Sequence, residues 1–390
     1  MELKGNWNYP TAIRFGAGRI KELPDACKVL GIKNPLLVTD PALAKLPMVR
    51  EVMGLCADAR LGCEVFANIQ ANPVEENVSR GVVAFSAGGH DGVVAMGGGS
   101  ALDVGKAIAL MVGQSRPLFD FEDREDWYTR VDVAGMAPVI AVPTTAGTGS
   151  EVGRAAVIMD VRDQTKKIIF HPKMLPSIVI ADPELTVGLP AHVTAATGMD
   201  ALSHCLEAYC SPLYHPLAEG IAVEGMRLVK EWLPVAVRDG KNIEARSHML
   251  IASTMGATAF QKGLGAMHSL SHPCGAHLNS HHGLTNAVVM PYVLLWNRKS
   301  VEDKMVRLAA YLDLPKKSFD GVLEWVLELR KTIGIPATLA ELGATELHAA
   351  ELAPHALADP STGTNPQAMT QNDFEKLFLN CIRGSLTPVA

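Results

Sequence analysis

Asp200, His204, His268 and His282 carry the most legible chemistry in this chain. Asp200 and His204 stand four residues apart in GMDALSHCLEAY, a stretch of helical apolar periodicity, so both side chains leave one helix face and can meet a single ion. His268 and His272 repeat that spacing in GAMHSLSHPCGAHLNSHHG. The same run holds His277, His281 and His282, out of 13 histidines in the whole chain, a clustering that neither a core nor a solvated surface calls for. Imidazole with carboxylate suits Fe(II), Zn(II) or a similar first-row ion, and no cysteine lies where it would add the thiolate of a structural zinc site. The four residues are therefore expected to form a divalent-metal site.

Two kinds of element must position these groups. The first half alternates short β-branched runs with helical segments, as in PLLVTD (35–40), DGVVAMGGGS (91–100), APVIAVPTT (137–145) and SIVIADPEL (177–185), the signature of a mostly parallel sheet covered by helices. After Gly188-Leu189-Pro190 the pattern changes to long segments of period about 3.6, at 218–233, 244–260 and 319–333. The expected architecture is an α/β domain of Rossmann-like type over 1–187 and an all-α domain over 188–390. No long linker, low-complexity segment or internal repeat interrupts it.

Small-residue loops close two of the expected strands. In VVAMGGGSALDVGKAIAL, Gly97, Gly98, Gly99 and Ser100 end a buried strand and open a helix, where a phosphate can approach main-chain N–H groups at a helix N-terminus. A tight strand-to-helix turn would use the same glycines. The dinucleotide pattern G-x-G-x-x-G fails at Leu102, and the Walker pattern fails because Gly99 is one residue too far from Gly105-Lys106 and Ala107 follows the lysine. PTTAGTGSEV (143–152) offers the hydroxyls of Thr144, Thr145, Thr148 and Ser150 beside two glycines. Asp40 ends the strand at 35–40, where a carboxylate either accepts hydrogen bonds from an adenine ribose and repels a 2′-phosphate, or starts the Asp40-Pro41 turn.

Composition excludes other classes. The 390 residues are 48% hydrophobic and 19% charged, as in a globular protein of about two domains. A net charge of -6 gives no footprint for nucleic acid or an anionic membrane. Seven cysteines lie scattered without CxxC pairs, and MELKGNWNYPT lacks the plan of a signal peptide, so a reducing cytoplasm is the expected home. The apolar stretches are broken well before the ~18 residues of a membrane helix.

Together GGGSALDVGK (97–106), PTTAGTGSEV (143–152), LPAHVTAATGMDALSHCLEAY (189–209), HSLSHPCGAHLNSHHG (268–283) and the opening FGAGRIKEL (15–23) resemble the iron-containing, group III alcohol dehydrogenases across nearly the whole chain. The resemblance implies a Rossmann-like domain, a helical domain, a cleft holding NAD(P) and metal, and commonly a homodimer. It implies that Asp200, His204, His268 and His282 hold iron or, in some members, zinc, and that His272 stands beside the nicotinamide without binding metal. Gly97 to Ser100 match the pyrophosphate loop, Asp103 its neighbour, Thr144, Thr145 and Thr148 the second cofactor loop, and Lys166 the lysine near the nicotinamide ribose, with Lys167 adjacent. Asp40 stands where members using NAD carry Asp and many using NADP carry Gly.

The implied activity is hydride transfer between NAD(H) and a small alcohol or aldehyde, with His272 relaying the proton. A dehydroquinate synthase-like or glycerol dehydrogenase-like enzyme shares the plan. Many members read SEVT after the second loop and carry Phe-Asn-Asn before the first histidine, where this chain reads SEVGRAAVI (150–158) and AFQKGLGAMH (259–268). Arg154 and Lys262 fall in these altered stretches and could hold a carboxylate, which would make the substrate a short hydroxy acid or its semialdehyde; surface exposure is the simpler account of either one.

Overall fold

The computed structural model describes Tyr9 and residues 11–387. The chain divides into one compact unit of Tyr9–Thr145 with Gly149–Gly188 and another of Ala146–Thr148 with the chain from Leu189 onward. The division thus falls one residue beyond 187, and Thr148 groups with the helical unit rather than with the loop that flanks it.

Eight strands form in the first unit: β1 (Ala12–Phe15), β2 (Pro35–Val38), β3 (Glu64–Phe66), β4 (Gly92–Gly97), β5 (Val139–Pro143), β6 (Ala155–Asp160), β7 (Thr165–Phe170) and β8 (Ile178–Ala181). Six build a sheet in the order β1-β8-β5-β4-β2-β3, parallel at every pairing, and β6 with β7 make a separate antiparallel hairpin. The strands β2, β4, β5 and β8 are buried at every residue, as both-face coverage of a parallel sheet demands. Helices α1 (Leu23–Leu30), α2 (Pro47–Asp58), α3 (Glu75–Ala87) and α4 (Gly99–Met111) provide that cover. Under α1 and α2, Leu37, Val94, Met96, Ile140 and Ile180 pack with Leu23, Val49 and Val52 in one core. The chain leaves β2 for β3 on one side and returns to β4 on the other, so the carboxyl ends of β2 and β4 flank the reversal at which open α/β sheets bind ligands.

The second unit is helical: α5 (Ala191–Cys210), α6 (Pro216–Arg238), α7 (Ile243–Ala259), α8 (Ala266–Leu278), α9 (His282–Tyr311), α10 (Phe319–Thr332), α11 (Leu347–Ala358) and α12 (Gln371–Arg383). The expected helical segments fall on α6, α7 and α10. Helix α5 is buried from Thr194 to Cys210 except at Thr197 and packs against α6, α7 and α9. Its contact with the start of α9 requires glycine: a β-carbon on Gly283 would lie 2.6 Å from the Ala196 carbonyl oxygen and 2.9 Å from Asp200 Cβ. No helix among the described residues is long and apolar enough to cross a membrane.

Candidate metal centre and cofactor loops

The three helices that meet in the second unit bring the four expected ligands together. Asp200 and His204 lie on α5, His268 in the first turn of α8 and His282 at the first position of α9, and one donor atom from each falls within 4.8 Å of the others. Asp200, His204 and His268 are buried and His282 partly so. Burial pushes His204 down to about 4 despite the nearby Asp200 carboxylate, which favours the neutral imidazole, with one ring nitrogen carrying a lone pair that can bind an ion. Three imidazoles and a carboxylate at this spacing fit a divalent first-row ion.

Side chains around the cluster decide which nitrogen faces it. Glu207, one turn beyond His204 on α5, accepts from His268 Nδ1 at 2.6 Å with one oxygen and from the Met267 backbone N–H at 2.6 Å with the other. One carboxylate thereby caps α8 and fixes the tautomer of its third residue, leaving Nε2 with a lone pair. Burial works against the His268 imidazolium, but the charge and hydrogen bond of Glu207 outweigh it and hold the histidine above its ordinary value. Ser271 Oγ donates to the His268 carbonyl and sits 3.3 Å from His282 Nδ1, which turns His282 Nε2 towards Asp200.

His272 stays outside this cluster, its ring stacked on His282 with centroids 5.3 Å apart and planes 12° from parallel. Its Nδ1 lies 2.7 Å from Asp359 Oδ2. The Asp359 side chain, 8% exposed, is divided between two tasks, its Oδ1 accepting from the Ser361 N–H at 2.9 Å. Burial opposes its charge, but His272 and the Ser361 N–H more than offset that and keep the carboxyl below the usual range. Glu207 and Asp359 are residues of this region that sequence reasoning missed.

In the first unit the expected cofactor residues separate into two groups. Asp40, at the carboxyl end of β2, accepts from the Ala42 and Leu43 N–H groups through Oδ1, so it does start the turn, while Oδ2 lies 3.8 Å from where a β-carbon would stand on Gly97. Gly97 has φ 150°, which L side chains rarely adopt, and a β-carbon there would come within 2.7 Å of Ala101 Cβ. Gly98 stands beside the Thr145 side chain, and the Thr144 N–H donates to the Gly97 carbonyl, so the loops after β4 and β5 run side by side, with Gly99 as the first residue of α4. The Ser100 hydroxyl donates to the Ala71 carbonyl at 2.6 Å.

Asp103 and Ser150 are committed elsewhere than to a ligand. The Ser150 hydroxyl donates to Asp103 Oδ1, the Val157 N–H donates to Oδ2 at 2.9 Å, and Lys106 lies 3.3 Å away while donating to the Ser150 and Ala155 carbonyls. This buried set ties α4 to the second loop and the β6–β7 hairpin. On β7, Lys167 pairs with Asp160 and Asp163, and the adjacent Lys166 lies on the opposite strand face.

The expectation for Lys262 needs correction. Its side chain is wholly buried, and its ammonium donates to the carbonyls of Ala208, Tyr209 and Ser211 at 3.0, 3.3 and 2.6 Å and pairs with Glu219 at 2.9 Å. It caps the carboxyl end of α5, whose last carbonyls have no partner within the helix. A lysine so engaged has no donor left for a substrate. Lys262→Met is expected to destabilise the protein by about 1–3 kcal/mol, by leaving the Ala208 carbonyl without its donor and the Tyr209 and Ser211 carbonyls to Lys304 alone. A calorimetric scan should show a lowered midpoint, and the ratio of kcat/KM values for acidic and neutral substrates should stay unchanged. Arg154 differs: its guanidinium lies 5.5 Å from the Phe170 ring centroid and feels the Asp123 carboxylate.

Residues 10–183 match the iron-containing alcohol dehydrogenase model and residues 194–382 match its C-terminal companion, the Fe-containing alcohol dehydrogenase family, C-terminal. The chain is 38% identical to 4-hydroxybutyrate dehydrogenase of Cupriavidus necator, with 95% of this chain and 98% of that one covered. It is 35% identical to NAD-dependent methanol dehydrogenase of Bacillus methanolicus, over 97% and 100%. Among solved structures, a 1,3-propanediol oxidoreductase superposes with a TM-score of 0.92 at 32% identity, covering 97% of this chain and 99% of its own. With both halves matched in order, and one carboxylate and three imidazoles brought together from α5, α8 and α9, the chain belongs to the iron-containing alcohol dehydrogenase family.

Proposed function

We propose that this chain oxidises a small alcohol, or reduces the aldehyde, with NAD(H), using a divalent ion, iron or alternatively zinc, held by Asp200, His204, His268 and His282. The observation that carries this is the convergence of one carboxylate and three imidazoles within 4.8 Å, with Glu207 on His268 Nδ1 leaving the His268 Nε2 lone pair for the cluster. When bound, such an ion would supply Lewis-acid polarisation of an alcohol oxygen, and NAD would supply the hydride acceptor. The remaining work belongs to the chain. Gly97, Gly98 and Gly99 with the start of α4 receive the pyrophosphate, Thr144, Thr145, Thr148 and Lys166 complete the cofactor contacts, and Asp40 accepts from the adenine ribose. His272 takes the alcohol proton at Nε2, because Asp359 holds the proton on Nδ1 and keeps the ring stacked on His282.

Loss of that orientation should be measurable. Asp359→Asn is expected to lower kcat by roughly tenfold to a hundredfold, the usual penalty for removing a partner that orients a functional histidine. Bound metal and the KM for NAD should be unaltered. Steady-state kinetics with parallel metal analysis checks it, and an unchanged kcat would remove Asp359 from the mechanism.

Within the alcohols, a short hydroxy acid is favoured by the 38% identical relative named for 4-hydroxybutyrate, with Arg154 as the cation for its carboxylate. A charge-assisted hydrogen bond of about 1.5–3 kcal/mol makes Arg154→Ala cost roughly tenfold to a hundredfold in kcat/KM for 4-hydroxybutyrate and little for 1-butanol. Equal losses on both, or a wild-type preference for butanol, would leave the substrate a neutral alcohol. The seven free thiols suit a reducing cytoplasm. A homodimer is proposed for the assembly, to be tested by light scattering. A screen of alcohols and aldehydes following NADH absorbance, on protein reconstituted anaerobically with Fe(II) or Zn(II), tests the whole proposal; binding of NAD without net NADH change on any of them would favour the lyase-type alternative.

A further inference from the structure

The carboxamide of Asn286 occupies a place that the chemistry above leaves unused. Its Nδ2 lies 2.9 Å from Asp200 Oδ1, 3.2 Å from His282 Nε2 and 3.3 Å from His268 Nε2. Acceptor atoms of three of the four proposed ligands therefore surround one amide nitrogen, which has only two hydrogens to give. The other end of the amide is in the opposite condition: Asn286 Oδ1 is buried with no hydrogen-bond partner among the described residues. Backbone geometry produces the placement. Asn286 follows His282 by one turn on α9, so both leave the same helix face, and Gly283 lets that face press against α5 at Ala196 and Asp200.

A cation among these donors reverses the electrostatic preference of the amide. Its N–H end, positive in partial charge, is repelled, and its carbonyl oxygen is attracted. The two ends are nearly equal in size, so a half-turn of the terminal torsion exchanges them without moving a neighbour. We infer that Asn286 is a fifth polar member of the metal site, presenting Oδ1 to the cluster when a divalent ion is held and so strengthening its retention. This rests on the assignment of Asp200, His204, His268 and His282 as ligands.

Metal-free wild type, Asn286→Ala, Asn286→Asp and His268→Ala would be titrated anaerobically with Fe(II) against a chromophoric chelator, with circular dichroism to establish folding. Asn286→Ala should bind Fe(II) roughly tenfold to a hundredfold more weakly. Asn286→Asp, the same shape with an oxygen at both ends, should bind at least as tightly as wild type, and it decides the matter should the alanine variant not fold. Wild-type affinity in Asn286→Ala, or an aspartate variant as weak as the alanine one, would overturn the inference while leaving the ligand set intact. Wild-type affinity in His268→Ala would place the fault in the ligand set itself and overturn both.

Discussion

Alanine at His268 or at His282 is expected to yield a folded protein that retains no metal and turns over at background. Each substitution removes one neutral donor from a set of four, and His268→Ala also strands the buried Glu207 carboxylate on the Met267 N–H alone. Lewis-acid polarisation contributes several kcal/mol to such reactions, so kcat/KM should fall by roughly a thousandfold or more. NAD binding, measured by quenching of protein fluorescence, should survive, because Asp40, Gly97, Gly98 and Gly99 lie in the other unit. Full metal occupancy in both variants by elemental analysis would show that the four residues are not the ligands.

Asp40→Gly is expected to erase most of a preference for NAD over NADP. The wild-type carboxylate, beside Gly97 at the end of β2, would confront the 2′-phosphate of NADP with a like charge, a juxtaposition that costs several kcal/mol when partly desolvated. The ratio of kcat/KM values for NADH and NADPH should therefore fall by roughly a hundredfold. Because Oδ1 also holds the Ala42 and Leu43 N–H groups, the glycine variant should lose some stability, and Asp40→Asn, which can keep that turn while dropping the charge, separates the two effects. A wild-type enzyme with higher kcat/KM for NADPH would contradict the assignment.

What the sequence disclosed depended on how local each signal was. The strands β2, β4, β5 and β8 stood out because burial on both faces makes them continuous apolar runs, whereas the edge strands β1 and β3 have no fully buried residue, include Arg14 and Glu64, and have no such run. Asp200 and His204 were legible through helical spacing. Glu207 and Asn286 continue the same stripes, at i+3 from His204 and i+4 from His282, yet Glu and Asn on a helix ordinarily mean a solvated face, so spacing alone did not single them out. Asp359 reaches His272 across 87 residues and left no local trace. Lys262 was misread because a charged residue in an altered stretch looks like a ligand contact, while the carbonyls at the end of α5 that attract it belong to a segment some fifty residues earlier. Asp103 and Ser150 sit in the phosphate-loop motifs but are turned towards each other.

Stoichiometry joined to turnover tests the central claim most directly. Metal-free protein, prepared with chelator under anaerobic conditions and supplied with NAD and a small primary alcohol, should form no NADH. Stepwise addition of Fe(II) should restore the rate in proportion to bound metal, levelling off at one ion per chain. Undiminished NADH formation in protein shown by elemental analysis to be free of metal would contradict the account.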